Sequence, residues 1–376
     1  MLIIILIFST ILTSGCWDST DINEKVIMTS VMLDKKDGEI ILYGEAANIE
    51  ASKDGGSGGG SGAGSGGGQF LLFIGRGKTI PQARENLNLQ AEKEVYISGT
   101  RTLIFTERFA KEYLVEYLNR IRYDEQYRKK VITVITKEDP EKLVKIANDA
   151  STFAGFEIDD MLQVLKKGGK AFILPTANLL ENLSGKYTGI LVPCIGIQDK
   201  ELILNGYFPV TDSTIADFIP IKETRGILLL TAKKPILTYI VPYKDLEYTV
   251  DVRLTKRKMI PIYQNGKITF NVKCDFKAEV LYGNKKIPYG FNDTVNAEVS
   301  ESLRKLIKKD INDAFDHAQK CKCDYLQCYD IFRIHYPDEI EKLDWEKEFP
   351  KITPNVVVKL DLESTSMMDY SIKEKK

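Results

Sequence analysis

The sequence predicts an α+β protein of more than one domain, with a mixed α/β N-terminal domain followed by antiparallel sheet domains and a long packed helix near the C-terminus. Three observations carry this. Up to about residue 198, short strand-like runs alternate with amphipathic helical patterns, the texture of a mixed sheet with helices packed on it. From residue 199 the chain turns to strands and turns, as in "ELILNGYFPV" (201–210) and "ILTYIVPY" (236–243). Near the end, residues 294–319 place Val295, Val299, Leu303, Leu306, Ile307, Ile311, Phe315 and Ala318 on one helical face. A chain of 376 residues exceeds the usual reach of one core. The expected division is a leader at 1–15, an N-terminal α/β domain at 16–198, a middle β-rich domain at 199–260 and a C-terminal α+β domain at 261–376.

The first element is the uncharged run "LIIILIFSTIL" (2–12). It is about half the ~20 residues that a membrane-spanning helix needs. A short apolar segment ending in small residues instead has the form of a secretory leader and its cleavage site. Thr13, Ser14 and Gly15 are those small residues, and Cys16 follows. The stretch resembles a bacterial lipobox, in which the Cys thiol takes a diacylglyceryl group before the peptide is cut upstream of it. Small side chains let a peptidase grip extended backbone, and only a thiol forms the thioether. No Lys or Arg precedes the run, and Thr13 stands where an aliphatic residue is commoner. The reading makes Cys16 the lipid attachment site and holds the protein on a membrane surface, since several acyl chains at ~0.8 kcal/mol per buried methylene bind far more firmly than one. Trp17 suits the interfacial belt.

"KVIMTSVMLD" (25–34) and "EIILYGEAAN" (39–48), separated by "KKDG", read as a hairpin. Residues 55–68, "GGSGGGSGAGSGGG", carry no packing pattern and read as a flexible surface loop. "GRGKT" (75–79) then follows a strand and opens a helix at 80–91. A phosphate-binding loop needs Gly, four residues, then Gly-Lys-Thr, and the position five before Gly77 is Leu72, inside the strand. The expectation is a tight turn with Thr79 as N-cap and Pro81 in the first turn. Residues 100–107, 129–136 and 188–198 read as strands, and 108–124 and 139–149 as helices between them. In the second half, "TRGILLLTAK" (224–233), residues 236–243, 248–263 and 267–283 read as strands, with Asn265-Gly266 as a hairpin turn. The long helix, a further helical stretch around Trp345 and a last strand at 354–364 complete an antiparallel sheet with one helix laid across it.

Lys and Arg number 52 against 53 Asp and Glu. That balance argues against general nucleic-acid binding, which needs a basic surface to displace counterions. No second stretch approaches a membrane span. The six cysteines leave five once Cys16 is assigned to lipid, an odd number that does not suit a closed disulfide framework. Cys194 and Cys274 sit in strand-like runs and read as core thiols. With only His317 and His335, and neither a nucleophile elbow nor a His-Glu-x-x-His pair, no catalytic residue, cofactor site or metal site is assigned. "EIDD" (157–160) reads as a solvated helix start. One constellation stands out: His317, Cys321, Cys323, Cys328 and His335 fall within 19 residues. His317 and Cys321 are one helical turn apart, but Cys-x-Cys is poor spacing for structural zinc.

"GCWD" (15–18) resembles the mature N-terminus of the Ger(x)C lipoproteins, the C subunits of spore nutrient germinant receptors. "GKTIPQARENLN" (77–88), "NGYFPVTDSTIADFIPIKETRGILLL" (205–230), "KCDYL" (322–326) and "DWEKEFPKITPNVVVKL" (344–360) are similar to further family segments in the same order. Two departures are local. "LQCYD" (326–330) replaces a Gly-rich "LGFG"-like turn, and the Gly usual near the end of the last strand is absent. The resemblance implies three tandem α/β domains, no enzymatic activity, and partnership with integral-membrane A and B subunits in the spore inner membrane. The alternatives are a solute-binding lipoprotein of an importer, which should show two similar lobes, and an enzyme using metal at the Cys/His cluster.

Overall fold

A computed structural model describes residues 24–47, 70–124, 126–211, 214–244, 246–283 and 293–364; the leader, Cys16 and the Gly/Ser stretch at 55–68 lie outside the described residues. The first sheet is built from β1 (Lys25–Lys36), β2 (Glu39–Ala47), β3 (Phe70–Gly77), β4 (Glu94–Tyr96), β5 (Thr102–Thr106), β6 (Ile132–Thr136), β7 (Ile190–Gln198), β8 (Glu201–Val210) and β9 (Ile219–Pro220). Its order is β3-β2-β1-β5-β6-β7-β8-β9, with β4 beside β1. The central β1, β5, β6 and β7 run parallel. Antiparallel pairs extend the sheet on both sides. β5 and β6 are buried at every position, as parallel strands covered on both faces must be.

The cover comes from α1 (Ile80–Asn88), α2 (Glu107–Tyr123), α3 (Pro140–Asp149), α4 (Ala154–Lys167) and α5 (Thr176–Leu183). The "GRGKT" turn behaves as a helix start. The Thr79 hydroxyl accepts from the Gln82 N–H at 3.3 Å, and Pro81 sits in the first turn. A Cβ on Gly75 would stand 2.0 Å from the Ala83 carbonyl oxygen, so the glycine serves close packing of α1 on β3.

The turn at Asp37 (φ 52°) and Gly38 (φ 80°) pairs Lys36 with Glu39, giving the expected first hairpin. An unsignalled hairpin turns at Asp199 (φ 51°) and Lys200 (φ 65°), with Gln198 opposite Glu201. Residue 198 therefore ends a strand whose neighbour, β8, continues the same sheet.

The second sheet has the order β10-β11-β12-β13, from β10 (Ile236–Tyr243), β11 (Leu246–Gln264), β12 (Lys267–Gly283) and β13 (Thr353–Ser364). Asn265 and Gly266 both have positive φ and pair Gln264 with Lys267, the turn that Asn-Gly signals. Residue 260 lies inside β11, so the boundaries expected at 198/199 and 260/261 do not follow the sheets, which change between Pro220 and Ile236. The remaining helices are α6 (Arg225–Thr231), α7 (Asp293–Lys320), α8 (Cys328–His335), α9 (Pro337–Ile340) and α10 (Trp345–Glu348). α7 buries Val299, Leu303, Ile307, Ile311, Phe315 and Ala318, the face expected of it.

Two expectations change. "TRGILLLTAK" is not a strand but contains α6, with Gly226 to Leu230 all buried. A run that is apolar on every side has no period to read, and it fits a buried helix as well as a strand. The last strand, β13, pairs with β12 in parallel. The chain between them passes through α7 to α10, the kind of crossover that a parallel pair requires.

Candidate functional site

The Cys/His segment is where the two sheets are tied together. α7 ends in a Schellman motif: the Cys323 N–H donates to the Ala318 carbonyl at 3.0 Å and the Lys322 N–H to that of Gln319 at 3.1 Å, with Lys322 at φ 51°. Cys-x-Cys spacing thus puts one thiol at the helix cap and the next at the buried position that closes it. Cys323 is fully buried, and its thiol lies 3.6 Å from the Val210 carbonyl of β8. A Cβ on Gly189, just before β7, would stand 2.3 Å from the Cys323 sulfur. The Gly189 N–H donates to the Asp324 carbonyl at 3.3 Å. The Tyr325 hydroxyl returns to α7, donating to the Ala314 carbonyl at 3.2 Å.

Asp324 is the charged group at the centre of this junction and is 2% exposed. Its carboxylate accepts from the Cys328 N–H at 2.9 Å and the Tyr329 N–H at 2.7 Å, satisfying two open donors at the start of α8. Burial pushes its pKa up to about 6, against the lowering effect of those two hydrogen bonds. Gln327, within the "LQCYD" that stands in place of a Gly-rich turn, takes the left-handed conformation (φ 60°, ψ 31°) just ahead of α8. The departure in "LQCYD" therefore keeps the backbone that glycine serves, at a steric cost.

His317, Cys321, Cys323, Cys328 and His335 are not gathered around one point. α8 carries Cys328 at its first position and His335 at its last, about 10 Å apart at helical rise. Cys328 is fully buried, while His335 is exposed with Nδ1 2.8 Å from the Ile331 carbonyl oxygen. His317 Nε2 approaches Glu223 at 3.9 Å. The Cys323 thiol lowers the Cys321 pKa, against desolvation, with His317 also lowering it. The Cys321 sulfur also lies 3.4 Å from the Ala318 carbonyl oxygen, a contact that favours the protonated thiol. Among the described residues, no group of three or more His, Cys, Asp or Glu could hold a metal ion. Beside this junction a cleft of about 440 Å³ is bounded by Lys186 to Thr188, Cys321, Asp324 and Trp345.

Two other buried carboxylates went unnoticed in the sequence. Glu45 of β2 accepts from the Ala154 and Gly155 N–H groups at 2.9 and 3.3 Å and from the Ser30 and Thr29 hydroxyls at 2.9 and 3.1 Å. It thereby caps α4 from a neighbouring strand, because Phe153 at the N-cap has no side-chain acceptor. Asp34 of β1 accepts from the Thr106 hydroxyl at 2.6 Å and pairs with Arg108 through both carboxylate oxygens. Their sequence signal is an acid inside an otherwise apolar strand. "EIDD" enters α4 with Glu157 in its first turn; Asp160 pairs with Arg101 at 3.1 Å, whereas burial raises the Glu157 pKa. Cys194 and Cys274 are buried, and desolvation pushes their pKa values up to about 12 and about 11.

These features define a non-repeating α+β protein in which a large mixed sheet and a smaller helix-covered sheet meet at a buried turn. The crystal structure of the GerBC protein has this fold: TM-score 0.57 at 13% identity, covering 88% of this chain and 96% of that one. A family model described as the spore germination protein N-terminal domain matches residues 18–197, and one described as spore germination B3/GerAC like, C-terminal, matches residues 207–366. The chain belongs to the GerAC-like family of spore germination proteins. Among curated relatives from Bacillus subtilis (strain 168), it is 21% identical to spore germination protein KC, covering 99% of this chain and 97% of that protein. It is 20% identical to spore germination protein B3, covering 92% of each.

Proposed function

We propose that this chain is the C subunit of a spore nutrient germinant receptor, lipid-anchored through Cys16 at the spore inner membrane and working without enzymatic activity beside integral-membrane A and B subunits. The tandem family match carries this reading. It begins at Asp18, two residues beyond Cys16, so "GCWD" stands where the lipid would meet the folded chain. Among the described residues, no helix is long and apolar enough to cross a membrane. An anchor at Cys16 would confine the search for membrane partners to two dimensions, raising effective concentration without new contacts. A non-enzymatic role is supported by how the Cys/His segment is used: Cys323 closes a helix cap, Cys328 is core, and Asp324 caps α8. The importer alternative predicts two similar lobes, whereas the two sheets have nine and four strands with different topologies.

Cys16→Ala tests the anchor. The substituted protein is expected in the soluble fraction of broken spores, with germination in response to nutrients impaired. Full retention in the membrane together with unchanged germination would contradict the reading. A thermal-shift screen addresses the importer alternative, since a solute-binding protein gains stability from its ligand.

A further inference from the structure

Two lysine-rich turns, far apart in sequence, form one cleft. "KKGGK" (166–170) follows from the end of α4, and "AKK" (232–234) follows α6. Gly169, at φ 70°, brings them together. Its carbonyl accepts from the Ile236 N–H at 3.3 Å, and a Cβ there would stand 2.4 Å from the Lys234 carbonyl oxygen. The cleft between the turns has a volume of about 460 Å³ and is lined by Lys166, Lys167, Lys233 and Lys234 together with the apolar run 171–174, with no Asp or Glu in its walls. Lys170 adds a fifth exposed cation beside it.

The usual explanation for lysines here is that they complement the negative C-terminal ends of helices. Both ends are already served. In α4 the Gly169 N–H donates to the Lys166 carbonyl at 3.1 Å and the Lys170 N–H to that of Leu165 at 2.8 Å, a Schellman closure. In α6 the Arg257 guanidinium donates to the Leu229 and Ala232 carbonyls at 2.7 and 3.0 Å. Arg257 is itself half-buried, and desolvation lowers its pKa. The chain as a whole is balanced at 52 cations against 53 anions, so this concentration of positive charge is local.

We infer that the cleft between residues 166–170 and 232–234 binds a phosphate-bearing anion. Four lysines around one concave wall provide the ammonium donors and the positive potential that phosphate oxygens require. Ala171, Phe172, Ile173 and Leu174 give the same cleft an apolar side. That combination suits a lipid headgroup at a membrane surface as well as a free phosphate. The inference stands apart from the lipid at Cys16 and holds whether or not that lipid is present.

The test uses the full chain with Cys16→Ser, which cannot carry a thioether-linked lipid. One variant replaces Lys166, Lys167, Lys233 and Lys234 with Gln. A control replaces Lys142, Lys145, Lys305 and Lys308, removing the same net charge elsewhere. Co-sedimentation compares phosphatidylcholine vesicles with vesicles containing phosphatidylglycerol; a second arm measures the thermal shift given by pyrophosphate. Binding to the anionic vesicles that falls roughly a hundredfold in the cleft variant and little in the control supports a headgroup as the source. A pyrophosphate-induced thermal shift lost only in the cleft variant, without vesicle binding, supports a free phosphate compound. Equal losses in both variants, or no binding of either probe that depends on the cleft lysines, would overturn the inference.

Discussion

Asp324 shows how one residue can link local chemistry to stability. A carboxylate taken out of water must find donors, and this one finds the first two N–H groups of α8. An unfolded Asp titrates near 3.9, whereas this one is raised to about 6. Between those values the folded state holds the extra proton. Its contribution is therefore fully stabilising below about pH 4 and is lost as pH rises through 6, a change of roughly 2–3 kcal/mol. Thermal melts at about pH 5 and about pH 7 should show a larger fall for the parent than for Asp324→Asn. An identical fall in both would remove Asp324 as the source. The left-handed residues around it give an opposite kind of prediction. Lys322 (φ 51°) and Gln327 (φ 60°) hold a conformation that glycine adopts without steric cost. Lys322→Gly and Gln327→Gly should each raise stability by about 0.5–1 kcal/mol in urea unfolding. Unchanged or lowered midpoints would contradict the backbone described. The residue types at this junction were legible in the sequence, but their roles were not. Cys-x-Cys spacing argues against structural zinc, but only the backbone direction shows that one thiol closes a helix. The Cys16 proposal is of a different kind, because it rests on a contiguous motif that needs no tertiary contact to be read.

At the scale of elements, legibility followed periodicity. α7 was readable because apolar residues recur at helical spacing over 28 residues, and the β11–β12 hairpin because Asn-Gly demands its turn. α6 was hidden by having no polar face. The direction of β13 was also hidden, since strand alternation says nothing about parallel or antiparallel pairing. α6 crosses α7 closely at Gly226. A Cβ on Gly226 would fall 1.7 Å from the Asp310 carbonyl oxygen, so only glycine fits. Gly226→Ala should cost about 3 kcal/mol or more, read as a lowered urea midpoint, because relieving the overlap means moving one helix off the other. A near-neutral effect would show that the two helices are not packed this closely. Glu45 works likewise between elements. Glu45→Ala would leave the Ala154 and Gly155 N–H groups and the Ser30 hydroxyl without their acceptor, while the Thr29 hydroxyl keeps the main-chain carbonyl of residue 45, for an expected loss of about 3 kcal/mol. Thermal unfolding of the variant checks it, and a loss within experimental scatter would mean α4 does not depend on this cap.

At the scale of the whole molecule, a large parallel-centred sheet and a smaller sheet covered by α7 share a junction made from Cys323, Asp324 and Gly189. The change of texture after residue 198 falls at the β7–β8 hairpin of the first sheet, between the two family matches. Strand pairing over such distances leaves little trace in one sequence. Family membership rests on the two tandem matches, and the proposed receptor role rests on that membership together with the Cys16 motif. Crosslinking in intact spore membranes, followed by affinity capture of this chain and identification of what is bound to it, tests the role most directly. The proposal predicts co-recovery of one integral-membrane A-type subunit and one B-type subunit. Recovery of this chain with neither of them, under conditions that preserve other membrane complexes, would contradict it.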